Sequence, residues 1–150
     1  MFDVRIAKKE EIDDLMTLRF EMLRATNDLE TDFEFDEDFV KSTREYFLTG
    51  DTMTVFALCD GEIAGCSSLS FFCEMPTFKH PFGKTAKLRN VYTREKYRRQ
   101  GVAQKMVRFL IDAAKFRGCD CIKLDATEMG ESLYRAFGFE KNESAMSLDW

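Results

Sequence analysis

Tyr97-Arg98-Arg99-Gln100-Gly101-Val102-Ala103 lies where an extended run gives way to a long amphipathic one. A strand-to-helix turn of that kind presents unpaired backbone N–H groups at the positive end of a helix dipole, which is an anion site. Gly101 has no Cβ, so an oxygen can come close to the backbone there. Arg98 and Arg99 add charge and forked donors suited to phosphate oxygens. The surrounding charge points the same way. Between Lys84 and Arg108 stand nine basic residues and one acid, Glu95; that stretch is +8 in a chain of net charge −5, so the remainder carries −13. A cationic island on an acidic protein fits a small polyanionic ligand. A nucleic-acid track would more often be basic overall and interleaved with stacking aromatics, and here only Tyr92 and Tyr97 are at hand.

Other chemistries are excluded by what the chain lacks. The five cysteines (Cys59, Cys66, Cys73, Cys119 and Cys121) form no Cys-x-x-Cys pair and no zinc pattern, and read as apolar residues of strands. His80 is the single histidine, in a loop between Pro76 and Pro81, so neither a multi-histidine metal site nor a Ser-His-Asp triad is expected. No metal is expected. Seven acids from Asp28 to Asp38 meet no base, and read either as solvated loop charge or as an attractor for a cation.

The elements that must position these residues follow from periodicity. Phe2 to Ile6 alternates as a short strand, and Glu10 to Ala25 carries apolar residues at helical spacing. Asp36 caps a helix from Glu37 to Leu48 that Gly50 closes. Thr52 to Leu58 and Glu62 to Phe72 are β-rich and joined by Asp60-Gly61, a hairpin signal. Cys73 to Gly83 is a loop, and Lys84 to Thr93 a strand. The helix from Gln100 to Arg117 gathers Ala103, Met106, Val107, Leu110, Ile111 and Ala114 on one face and stops at Gly118. A strand from Cys121 to Asp125, a helix from Glu131 to Phe137 and one or two strands in the tail to Trp150 complete the chain. The class is mixed α/β with a largely antiparallel sheet.

With 150 residues, 45% of them apolar and 33% charged, the chain is predicted to form one domain over residues 1–150. No run approaches 18 apolar residues and the N-terminus is charged, so a soluble cytoplasmic protein with no membrane contact is expected, as a monomer or homodimer.

From about Ala86 to Phe139 the sequence resembles the GNAT superfamily of acyl-CoA-dependent N-acetyltransferases. Arg98, Gly101 and Ala103 match its Arg/Gln-x-x-Gly-x-Gly/Ala signature, and Leu133-Tyr134-Arg135-Ala136-Phe137-Gly138-Phe139 matches its Tyr followed by Gly-Phe. The resemblance implies a central, mostly antiparallel sheet of six or seven strands flanked by about four helices. It also implies acetyl-CoA as co-substrate. The backbone of Val91, Tyr92 and Thr93 would pair with the pantetheine arm, and Arg98, Arg99, Gln100, Gly101, Val102 and Ala103 would hold the pyrophosphate. Tyr134 falls on the general acid that protonates the departing thiolate. Thr127 stands where the family often has Asn holding the cofactor arm, and its hydroxyl replaces that amide only in part. Gly130 stands where Ala is common.

These positions predict direct transfer of an acetyl group to a primary amine of a small molecule or peptide in a ternary complex. Glu74, Asp125, Glu128, Glu131 and His80 are the candidate bases, none singled out by a motif. The resemblance puts Thr26 to Asp38 and Cys73 to Gly83 over the acceptor end, where acids and Phe33, Phe35, Phe78 and Phe82 would suit a cationic amine. The alternative is a non-catalytic CoA-binding sensor or interaction module on the same scaffold.

Overall fold

The computed structural model describes residues 1–142 and 144–150. Five strands make one sheet: β1 (Phe2–Ile6), β2 (Thr52–Cys59), β3 (Glu62–Cys73), β4 (Lys84–Thr93) and β5 (Cys121–Lys123), side by side in chain order. The first three pairings are antiparallel, and β4 with β5 is parallel. Four helices flank it: α1 (Ile12–Thr26), α2 (Glu37–Thr49), α3 (Val102–Phe116) and α4 (Glu128–Ala136). Between β2 and β3, Asp60 and Gly61 both take positive φ (50° and 83°), the primed turn whose twist matches a hairpin.

Alternation along β2 decides which helices cover which face. Val55 and Ala57 are fully buried on the side of α3, with Met106, Val107 and Leu110. Phe56, between them, is fully buried on the other side with Leu15, Leu18 and Phe20 of α1 and Phe47 of α2. Side chains of this size each contribute about 1.5–3 kcal/mol when removed from water. Both faces are therefore covered, one by α3 and the other by α1 and α2.

The expected sixth and seventh strands are absent among the described residues. Met146, Leu148 and Trp150 alternate as a strand would, yet they are exposed and unpaired, because alternation without a neighbouring ladder leaves backbone groups to water. β5 ends at Lys123 rather than Asp125 for a related reason: its ladder with β4 spans only Thr85–Lys87 against Cys121–Lys123. Helix bounds also shift. A 3₁₀ turn, Lys9–Glu11, precedes α1; α3 begins at Val102, after the left-handed Gly101; and α4 begins at Glu128, capped by Thr127.

Glu11 locks the first turn to β1. Its carboxylate accepts from both terminal nitrogens of Arg5 at 2.7 and 3.0 Å and from the Lys8 backbone N–H at 2.7 Å. The Arg5 hydrogen bonds, then the backbone N–H, hold the Glu11 carboxyl down at about 2 against an ordinary 4.5. A depressed acid pKa stabilises the fold above the ordinary value, and that stability is lost as pH falls through the folded one. Replacing Glu11 by Gln should therefore destabilise by about 1 kcal/mol at neutral pH, the scale of a half-exposed charge-assisted pair. Thermal melts of both proteins from pH 7 to 2 check this. The gap should be full above about pH 5 and close toward pH 2; a constant gap would reject the pairing as its source.

Candidate active site

Parallel pairing sets the geometry of the site. Because β5 runs the same way as β4, the carboxyl ends of both strands lie at one end of the sheet, and the helices that follow them, α3 and α4, begin there. Their ladder stops at Lys87 and Lys123, leaving β4 without a neighbour on that side from Leu88 to Thr93. The carboxyl ends of the strands, beside the start of the helices that follow them, are where α/β sheets bind ligands. Arg108 of α3 lies over the ring of Phe137, the residue that follows α4, 4.7 Å from its centroid.

A bulge re-aims β4 within that unpaired stretch. Tyr92 pairs with Cys66 and Arg89 with Ser68, so Asn90 and Val91 together oppose Ser67. Asn90 accommodates the extra residue at a φ of 60°. Val91 then packs against the α3-side core, while Tyr92 is buried on the α1 side and Thr93 is half-buried at the strand end. The Tyr92 hydroxyl donates to Glu21 at 2.8 Å, and burial, with that bond second, pushes it up to about 12. Arg94 grips the same carboxylate with two bonds, 3.0 and 3.1 Å. Burial works to raise the Glu21 carboxyl, but Arg94 and Tyr92 outweigh it and hold it below its ordinary value. Glu21 is a fixed anchor between α1 and β4, and nothing in the sequence separates it from the other charges on its helix.

The turn that follows brings Arg98 to Ala103 together at this end. Arg99 and Gly101 both have left-handed φ, 62° and 81°, a backbone that faces successive N–H groups one way. The first helical bond of α3 runs from the Lys105 N–H to the Gly101 carbonyl, so the N–H groups of Val102, Ala103 and Gln104 have no partner within the helix. The Arg98 Nε donates to the Thr93 carbonyl at 2.8 Å, tying the turn to the end of β4. Arg99 is exposed, Gln100 reaches the Lys96 carbonyl at 3.5 Å, Val102 is buried in the α3-side core, and Ala103 is half-buried. No acid stands in the first turn of α3.

Tyr134, on α4, is half-buried with its ring edge-on to Phe139 at 5.9 Å, and burial raises its hydroxyl above the ordinary phenol value. Its hydroxyl has no hydrogen-bond partner among the described residues. Thr127 caps α4, its hydroxyl oxygen accepting from the Gly130 N–H at 3.2 Å. Three of the expected bases are engaged elsewhere: Glu74 with Lys123 at 2.7 Å, Asp125 with Lys87 at 3.0 Å, and Glu131 with Arg135 and Lys141 at 3.0 and 3.1 Å. Glu128 is exposed on the first turn of α4 with no ion-pair partner among the described residues. No group of three or more metal-ligating side chains occurs among the described residues, and no described helix is long and apolar enough to cross a membrane.

The acetyltransferase (GNAT) family model matches residues 12–139. The fold is similar to that of a predicted acetyltransferase with acetyl-CoA from Clostridium acetobutylicum (TM-score 0.84, 23% identity, covering 99% of this chain and 96% of that one). It is also similar to a GCN5-related N-acetyltransferase from Ralstonia eutropha (TM-score 0.83, 19% identity, 100% and 99% covered). A glucosamine-6-phosphate N-acetyltransferase from Arabidopsis thaliana matches at TM-score 0.70 and 21% identity, with 100% and 99% covered. No curated protein sequence matches the chain.

An ideal Cβ at Gly101 meets nothing within 4 Å, so a substitution there is opposed by the backbone angle alone. A β-branched residue held at left-handed φ strains the turn by about 1–2 kcal/mol. Gly101→Val should weaken CoA binding about tenfold or more, and Gly101→Asn, which tolerates that angle, clearly less. Calorimetric titration with CoA measures both. Equal, wild-type affinity in the two folded variants would remove the turn from the CoA site.

Proposed function

The chain belongs to the acetyltransferase (GNAT) family, and on that premise we propose that residues 1–150 form one N-acetyltransferase domain. It moves the acetyl group of acetyl-CoA to a primary amine of a small molecule or peptide by direct attack in a ternary complex. The observation that carries this reading is the three-residue ladder between β4 and β5, which leaves β4 unpaired on that side from Leu88 to Thr93 at the end of the sheet where α3 and α4 begin.

In this reading the turn from Arg98 to Ala103 grips pyrophosphate through its free N–H groups and arginines. The unpaired edge of β4 near Tyr92 offers a backbone N–H to the developing oxyanion. Tyr134 keeps its proton at neutral pH, since burial raises its pKa, and delivers it to the leaving thiolate. A thiol of pKa roughly 8.5 leaves tolerably without help, so the tyrosine assists rather than decides. The amine nitrogen attacks the thioester carbon, the C–S bond breaks, and the nitrogen gives up its proton to solvent or to Glu128. A covalent enzyme intermediate is not invoked: the buried Cys66 thiol, the cysteine nearest the bulge, is pushed up to about 12 by burial and stays protonated.

Tyr134→Phe should lower the rate of thiol release about tenfold to a hundredfold, with acetyl-CoA affinity within a few-fold of wild type. Steady-state release of free CoA thiol against an amine panel, paired with acetyl-CoA titration, measures both. Tight acetyl-CoA binding with no thiol released for any amine would favour the non-catalytic CoA-binding module. An unchanged chemical step in the variant would take the acid role from Tyr134.

A further inference from the structure

We infer that the acceptor amine carries an anionic group, a carboxylate or a phosphate, which docks on Arg19 of α1 and Arg89 of β4. This inference rests on the acetyltransfer reading above and specifies its second substrate. Arg19 and Arg89 line a cavity of about 280 Å³ between α1, α2 and β4, together with Asn90, Phe39, Ser42 and Tyr46, and most of its wall is apolar. Asn90 and Arg89 immediately precede Val91–Thr93 on the part of β4 that has no β5 neighbour. The cavity is on the α1 and α2 side of the sheet, whereas the turn from Arg98 to Ala103 leads into α3 on the other side. Donor and acceptor thus have separate approaches to one stretch of strand.

The charge in this cavity is unbalanced. Arg19 is half-buried, and among the described residues neither it nor Arg89 has a carboxylate within ion-pair distance. Among the described residues the Arg19 side chain makes one hydrogen bond, a long one of 3.3 Å from Nη1 to the Asn90 Oδ1, which leaves most of its donors unused there. Burial lowers the Arg19 pKa; Cys66 and Tyr46 oppose it, and the charge of Arg89 adds to it more weakly. A guanidinium does not escape this by losing its proton, so the favourable response is an anion that both arginines can share. The donors are held in place for it. Asn90 is fixed at the bulge, its amide nitrogen donating to the Cys66 sulfur at 3.7 Å while its oxygen holds Arg19.

None of the seven acids from Asp28 to Asp38 lines the cavity; all seven are exposed. The cavity therefore has the opposite sign to the acidic site for a cationic amine expected from that segment. The acceptor that fits is a small amine with an acidic group at its other end. Phe39 supplies an apolar wall, and Ser42 adds a hydroxyl to the lining.

Matched amines decide the matter in the thiol-release assay: amino acids against their amides, and phosphoethanolamine against ethanolamine. Wild-type protein should prefer the anionic member of at least one pair by about tenfold to a hundredfold in kcat/KM, as expected for a charge-assisted contact at a partly buried site. The pair that shows the preference tells carboxylate from phosphate. Arg89→Gln, at an exposed position, and Arg19→Gln should each shrink that preference about tenfold, with acetyl-CoA affinity by calorimetry within threefold of wild type. Acetyl-CoA binding without preference for an anionic member of any pair, including acceptance of no member at all, overturns the inference. A preference that survives both substitutions also overturns it. Failure to bind acetyl-CoA would instead overturn the acetyltransferase reading.

Discussion

The site depends on how little β4 and β5 hold on to one another. A parallel ladder of three residues orients both strands and aims two helices at one end of the sheet, and then it stops. A longer ladder would satisfy the backbone of Leu88 to Thr93 internally. A shorter one would leave nothing to align α4 with α3. Two ion pairs flank the point of divergence, Lys87 with Asp125 and Lys123 with Glu74, and both tie the side chains of the separating strands to neighbouring segments. Surface pairs of this kind contribute about 0–1 kcal/mol each, so the opening rests mainly on the bulge and on the helix packing behind it.

The α1 side of the sheet is fastened to the same stretch of β4. Glu21 accepts from Tyr92 and Arg94, and Arg19 donates to Asn90, so one helix contacts three positions around the bulge. The bridge through Glu21 is matched in charge and fully bonded, and it carries rigidity. The bridge through Arg19 is a cation with an amide and no anion. The difference separates a contact matched in charge from one that is not.

Much of this organisation was legible in local pattern. Asp60-Gly61 marked its hairpin, the apolar stripe of Met106, Val107, Leu110 and Ile111 marked the face of α3, and Gly101 marked the turn before it. Each signal is written within a few residues of where it acts. The tail shows the limit. Met146, Leu148 and Trp150 carry a strand's alternation, but a strand also needs a neighbour, and pairing is decided by distant residues. The same holds for Arg19, which reads as one more charge on a helix until the fold brings it to Asn90, 71 positions away. The acidic run from Asp28 to Asp38 stands out because it is contiguous, whereas Arg19 and Arg89 are separated along the chain by α2, β2, β3 and the first half of β4.

Asn90 is restricted twice over, and this narrows which sequences can hold the same arrangement. Its backbone at φ 60° favours Gly, Asn and Asp. Its side chain must accept from a guanidinium and donate to a thiol at once, which an amide does and a carboxylate does not. Glycine at that point would keep the bend and release Arg19; aspartate would keep the bend and neutralise it. Drift at position 90 therefore has few neutral steps, because each residue its backbone admits besides asparagine either drops the contact to Arg19 or cancels its charge while leaving the strand in place.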